Sequence, residues 1–123
     1  MGKRSLSVVA ERPVIAMCMG KDCAKRRESA KMRNALETEC DVVDLKCVGL
    51  CDGPVVAIDP GARRPVVYSK LRSKRQRRLV IAAALGERRA RRDLAERSVD
   101  RSKAVTRVSR QTRRRLAART ATT

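Results

Sequence analysis

The sequence contains no histidine, tryptophan or phenylalanine, and its one aromatic residue is Tyr68. The absence of histidine excludes a Rieske centre, which needs two imidazole ligands on one iron. It also excludes histidine-containing zinc sites and catalysis by a histidine general base. With a single aromatic side chain the protein cannot build an aromatic-rich core. A small fold with so thin a core is usually stabilised further by a metal, by disulfides or by oligomerisation.

Long apolar runs are also missing from the chain. The longest, residues 79–85, is far too short to span a membrane, and the basic N-terminus has no apolar stretch long enough for a signal peptide. We therefore expect a cytoplasmic protein with no transmembrane segment, in a compartment where clustered cysteines favour metal or redox chemistry. The five cysteines are an odd number, which fits a closed set of disulfides poorly.

Acidic residues are scarce, and their distribution divides the chain in two. Residues 1–71 hold 13 Lys and Arg against 9 Asp and Glu, whereas residues 72–123 hold 18 against 4. Most of the net charge of +18 therefore lies in the C-terminal part. No linker rich in Gly, Ser or Pro separates the two parts.

The pattern of apolar residues predicts a mixed α/β fold. A helix between the first two strands implies a crossover and parallel pairing, and the short turn between the last two implies an antiparallel hairpin. We therefore expect a mixed four-stranded sheet with two packed helices. The predicted strands cover residues 14–17, 41–46, 55–58 and 65–68, and the predicted helices cover residues 24–38 and 74–85, with Gly86 ending the second.

Four of the five cysteines form two closely spaced pairs. Cys18 and Cys23 follow the first predicted strand in a Cys-x4-Cys pair, and Cys47 and Cys51 follow the second in a Cys-x3-Cys pair. If these parallel strands are neighbours, the four sulfurs converge at one edge of the molecule. Such a set suits a [2Fe–2S] cluster, with each pair chelating one iron. A four-thiolate zinc site and four buried structural thiols remain alternatives, although neither pair has the Cys-x2-Cys spacing common in structural zinc sites.

The segments around these pairs resemble a known family. Residues 18–26, Cys-Met-Gly-Lys-Asp-Cys-Ala-Lys-Arg, and residues 47–60, which begin Cys-Val-Gly-Leu-Cys-Asp-Gly-Pro, resemble the thioredoxin-like [2Fe–2S] ferredoxins. This family includes small bacterial stand-alone ferredoxins and the thioredoxin-like iron–sulfur subunit of respiratory complex I. The resemblance runs over about residues 14–85.

The resemblance implies a function as well as a fold. It implies a thioredoxin-like domain at residues 13–86, preceded by an N-terminal arm at 1–12. Its [2Fe–2S] cluster would be bound by Cys18, Cys23, Cys47 and Cys51. It further implies one-electron transfer and often a homodimer. Because no set of nucleophile, base and oxyanion donors is evident, we expect an electron carrier between a reductase and an acceptor, and not an enzyme.

The fifth cysteine, Cys40, departs from the family. It lies where the first predicted helix meets the second strand, which favours a small apolar filler over a ligand. A substitute ligand during cluster assembly is the alternative.

The basic extension at residues 87–123 also departs from the family. Its apolar residues recur too irregularly for a convincing amphipathic face, so we expect a helical or disordered extension outside the packed domain. It is either simply solvated or an electrostatic arm that docks an acidic redox partner, nucleic acid or an anionic membrane surface. The rival function is therefore a nucleic-acid-associated protein that holds structural zinc or a redox-sensing cluster.

Overall fold

A computed structural model describes residues 12–20, 27–49 and 54–121 of the chain. In this part of the chain, five strands form one mixed sheet in the order β2-β1-β3-β4-β5. Strands β1 and β2 are parallel, and every other neighbouring pair is antiparallel. The strands are β1 (Val14–Cys18), β2 (Asp41–Leu45), β3 (Val56–Ile58), β4 (Val66–Tyr68) and β5 (Ser98–Val99).

Four α-helices accompany the sheet in the described ranges. They are α1 (Arg27–Glu37), α2 (Lys74–Ala84), α3 (Arg88–Asp93) and α4 (Ser102–Ala121), and a short 3₁₀ turn, Ala95–Arg97, follows α3. None of these helices combines the length and the apolar composition that a membrane span requires.

The mixed α/β class is confirmed, but the expected number of elements is wrong. The sheet has a fifth strand, and α3 and α4 join the two helices predicted from the sequence. Strand β5 consists of two residues that pair with Val67 and Tyr68 of β4. A strand this short shows no alternation of apolar and polar residues, because that pattern needs about four residues or more.

The ends of α2 show why its bounds could be predicted. Ser73 and Gln76 form a capping box: the Gln76 N–H donates to Ser73 Oγ at 3.1 Å, and the Ser73 N–H donates to Gln76 Oε1 at 3.0 Å. At the other end Gly86 has a φ of +100°, and its N–H donates to the Ala83 carbonyl. Such left-handed geometry strongly favours glycine, so the helix ends where the sequence indicates.

The sheet carries a core on each face. Along β1, Ile15 and Met17 belong to the core shared with α1, α2 and α3, whereas Ala16 and Cys18 belong to the core that α4 covers. This division follows from the alternation of side chains along a strand.

Helix α4 packs on its face of the sheet through small side chains. Ala104, Val108 and Thr112 recur at four-residue spacing and are 2%, 1% and 0% exposed. The expectation that the basic extension lies outside the packed fold is therefore wrong, because Ala90 and Leu94 pack in one core and Ala104 and Val108 in the other. Periodicity of large apolar residues does not reveal this face, because Ala104 is small and Thr112 is polar. The domain boundary at residue 86 stays a prediction.

Polar contacts fix the helices against the sheet. The Arg33 guanidinium of α1 donates to both Asp44 carboxylate oxygens, at 2.8 and 2.9 Å. On the other face, Ser109 Oγ of α4 donates to the Ala62 carbonyl at 3.0 Å, and Arg113 Nε donates to the Gly61 carbonyl at 3.1 Å. Helix α4 is thus bonded to the loop that joins β3 and β4.

Candidate metal centre

The pairing of β1 with β2 brings two of the predicted ligands to one edge of the sheet. Cys18 ends β1 and lies opposite Leu45, and Cys47 follows two residues after Leu45. The Met19 N–H donates to the Leu45 carbonyl at 2.8 Å, which extends the pairing by one residue. The expectation that the first two strands are parallel neighbours is confirmed. The segments that carry Cys18 and Cys47 therefore leave the sheet side by side.

The two segments are in backbone contact at Gly20. A Cβ atom placed on Gly20 would lie 2.8 Å from the Cys47 backbone nitrogen and 3.0 Å from the Cys47 Cα. Real Cβ atoms do not approach backbone this closely, so a larger residue would push the two segments apart. Position 20 therefore favours glycine for a steric reason: the absence of a side chain lets the two backbone segments approach closely.

The two described cysteines have different surroundings. Cys18 is 1% exposed, belongs to the α4-side core with Ala104 and Val108, and its Sγ lies 4.0 Å from the Lys46 carbonyl oxygen. Cys47 is exposed. One sulfur thus lies in the interior, and the other lies at the surface.

The Cys47 sulfur also receives a backbone hydrogen bond. The Gly49 N–H donates to Cys47 Sγ at 3.4 Å, from a residue whose φ of +88° is in the left-handed region. Glycine adopts that conformation without strain. Amide donors on sulfur are among the features that set the potential of iron–sulfur sites.

The other two predicted ligands, Cys23 and Cys51, lie outside the described residues. Within the described ranges no group of three or more cysteine, aspartate or glutamate side chains is placed to hold a metal ion. The structure therefore brings Cys18 and Cys47 to one edge, and the complete set of four stays a prediction.

Helix α4 flanks this edge and is bonded to it. Gln111 contacts both backbone polar groups of Lys46: the Lys46 N–H donates to Gln111 Oε1 at 2.8 Å, and Gln111 Nε2 donates to the Lys46 carbonyl at 3.3 Å. Arg107 also comes close to this loop. Its Nη1 lies only 2.9 Å from the position that a Cβ atom would occupy on Gly49. The C-terminal helix is thus part of the surroundings of Cys47.

An open cleft of about 420 Å³ lies between Cys47 and α4. It contains four cationic side chains and one amide, and no carboxylate is among its lining residues. Those residues are Lys46, Cys47, Arg107, Gln111, Arg114 and Arg115. The site is therefore strongly electropositive on its α4 side, which favours an anionic group.

The contributions of Gln111 and Arg107 were missed by the sequence analysis. Residues 107, 111 and 114 lie at i, i+4 and i+7, a spacing that places them on one face of a helix. This spacing predicts that the three residues share one face of a helix. It does not predict that this face contacts the loop that carries Cys47. Only the packing of α4 on the sheet supplies that information.

Cys40 lies at the opposite end of the sheet. It immediately precedes β2, whereas Cys47 follows β2, so the strand separates them by roughly 20 Å at about 3.3 Å per residue. Cys40 is 2% exposed, and this burial raises the pKa of its thiol above the usual value, with a smaller opposing effect from Arg12. A buried thiol at the other end of β2 from Cys47 favours the interpretation of Cys40 as an apolar filler.

Comparisons of the chain with models of protein families, with curated proteins and with solved structures found no match.

Proposed function

We propose that this protein is a small one-electron carrier whose Cys18, Cys23, Cys47 and Cys51 hold a [2Fe–2S] cluster. The observation that carries the proposal is the contact between the two cysteine segments at Gly20. Two chelating pairs on separate loops can serve one metal centre only if the loops adjoin, and the first residues of both loops do so.

The donor chemistry also fits the group. The proposed ligands are all sulfur, the ligand type that iron–sulfur clusters select. Gly49 supplies an N–H donor to the Cys47 sulfur, and the cations of α4 compensate negative charge at the same edge. When bound, the cluster would supply reversible gain and loss of a single electron.

The surroundings of the two described ligands suit a carrier. Burial of Cys18 keeps water away from one side of the site, while exposure of Cys47 leaves an edge that a partner can approach. Electron transfer weakens steeply with distance, so an exposed edge is what a carrier needs. The proposal includes no catalytic residue, and its partners are a reductase and an acceptor in the cytoplasm.

We further propose that the domain is thioredoxin-like. The parallel pair β1–β2 is joined through α1, and β3 and β4 form an antiparallel hairpin followed by α2. This arrangement supports the proposal, and β5 and α4 would then be additions to that domain.

The colour of the protein tests the proposed function. Full-length protein purified without oxygen should be red-brown, and dithionite should bleach its visible absorption and produce a paramagnetic signal. A colourless protein that contains zinc would instead support the rival structural-zinc site.

A further inference from the structure

We propose that the cations around Cys47 form a docking surface for an acidic protein, the partner with which this chain exchanges electrons. This surface, the cationic rim, consists of Lys46, Arg107, Arg114 and Arg115. The inference rests on the proposed function and extends it by naming the surface and the chemistry of the partner.

The backbone that carries the cationic rim is anchored to the fold. The two hydrogen bonds of Gln111 to Lys46 join α4 to the cysteine loop, and the buried Ala104 and Val108 anchor α4 to the sheet. Charges on an anchored backbone lose less conformational entropy on binding than charges on a mobile arm. The rim is therefore prearranged to meet a complementary surface.

The charges of the rim are not compensated within the described part of the chain. Lys46, Arg107 and Arg114 are exposed, and no described carboxylate forms an ion pair with them. Elsewhere in the same ranges arginines do have acidic partners, as Arg33 has in Asp44 at 2.8 Å. The proposed cluster would compensate part of the charge of the rim, and an acidic surface placed against the exposed side of the cations would relieve the repulsion that remains.

The arrangement of the rim favours a protein over a nucleic acid. The cations line a single cleft of about 420 Å³ together with the exposed Cys47, so they are gathered at one place on the surface and do not form an extended track. Tyr68, the one aromatic residue of the chain, is 2% exposed and cannot stack on a base. An electron acceptor must come close to the metal centre, and the exposed edge at Cys47 lies within the rim.

Binding of a short all-glutamate peptide to the full-length, cluster-loaded protein tests the proposal. The test variant carries Lys46→Gln, Arg107→Gln and Arg114→Gln, three exposed changes at the rim. The matched control carries Arg88→Gln, Arg89→Gln and Arg92→Gln, three exposed changes on α3 that remove the same charge. Affinity is measured by fluorescence anisotropy at low salt and at roughly 0.15 M salt.

We expect the rim variant to bind the peptide about tenfold more weakly than the wild type, and the control variant to change affinity less than about twofold. Equal weakening by both variants would overturn the proposal, because binding would then follow net charge alone. So would an unchanged affinity in the rim variant. A duplex DNA probe that binds more tightly than the peptide, with the same dependence on the rim, would assign the surface to nucleic acid.

The visible spectrum of each variant separates this test from that of the proposed function. A coloured protein in which the rim variant and the control variant weaken binding equally would disprove the docking surface and leave the carrier intact. A colourless protein that still loses affinity only in the rim variant would disprove the carrier and show a different role for the surface.

Discussion

The two ends of the sheet use their charges in opposite ways. At the end of the sheet where β2 begins, arginines have acidic partners. Arg119 lies 2.9 Å from Asp41, and Arg91 lies 3.7 Å from Asp59. The thiol at that end, Cys40, is buried.

At the end of the sheet where β2 ends, Cys47 is exposed, and the cations beside it have no acidic partner among the described residues. Exposed ion pairs of the first kind contribute little to stability, so they need no functional explanation. Exposed cations gathered beside an exposed sulfur, without carboxylate partners, instead form a surface that attracts an anion. The difference between the two ends indicates where the chemistry of this protein lies.

The largest expected difference between the two ends comes from replacing their cysteines. Cys47→Ser should abolish or strongly distort the visible absorption of the purified protein, because a serine oxygen is a harder ligand and is not readily deprotonated. Cys40→Ser should retain the spectrum and lose about 1–3 kcal/mol of unfolding free energy, because a hydroxyl replaces a buried thiol. A normal spectrum in Cys47→Ser would refute the assignment of the ligands.

Both ends depend on α4, which carries Arg119 to one and Arg107 to the other. Val108→Asp places a carboxylate in the core between α4 and the sheet, and it should lower the free energy of unfolding by about 3–4 kcal/mol. Thr106→Asp is the control, since residue 106 is exposed on the same helix. Denaturant unfolding measures both. An unchanged stability in Val108→Asp would show that the packing of α4 on the sheet contributes little to the fold.

Substitution of two glycines tests the contact between the segments that carry Cys18 and Cys47. Gly20→Ala should lower the amount of bound iron severalfold, because its Cβ would meet the Cys47 backbone at 2.8 Å, at a cost of about 1–3 kcal/mol. Gly61→Ala is the matched control, since the nearest atom to its Cβ would be Leu116 Cδ1 at 3.9 Å. Iron content per chain distinguishes them. Full loading of Gly20→Ala would show that the two loops need not touch.

The smallest expected effect is on the reduction potential. Arg115 is half-buried in the cleft with Cys47, so Arg115→Gln should lower the midpoint potential by some tens of millivolts, because positive charge stabilises the reduced, more negative state. Arg92→Gln, an exposed change on α3, should shift it much less because solvent and salt screen a distant charge. Voltammetry of the two variants compares them. Equal shifts of the midpoint potential in Arg115→Gln and Arg92→Gln would contradict the claim that the cations beside Cys47 act on the metal centre.

Local signals in the sequence account for most of the sheet and for the position of two predicted ligands. The apolar runs around Ile15 and Val43 predict two strands, and Gly86 predicts the end of α2, because periodicity and glycine conformation are local properties. The helix between the two strands predicts their parallel pairing.

The packing of α4 could not be predicted in this way. Its contact residues Ala104 and Thr112 are small, and its cationic residues suggest a solvated segment. Whether a helix face of small residues is buried depends on the shape of the sheet surface against which it packs. The same holds for Gln111, whose two bonds to Lys46 join residues 65 positions apart.

Native mass spectrometry of the full-length chain, purified without oxygen, tests the central claim most directly. The account predicts a mass that exceeds that of the bare polypeptide by one [2Fe–2S] cluster, in both the wild type and Cys40→Ser. A wild-type mass that corresponds to a zinc ion, or to the polypeptide with no metal, would contradict the account.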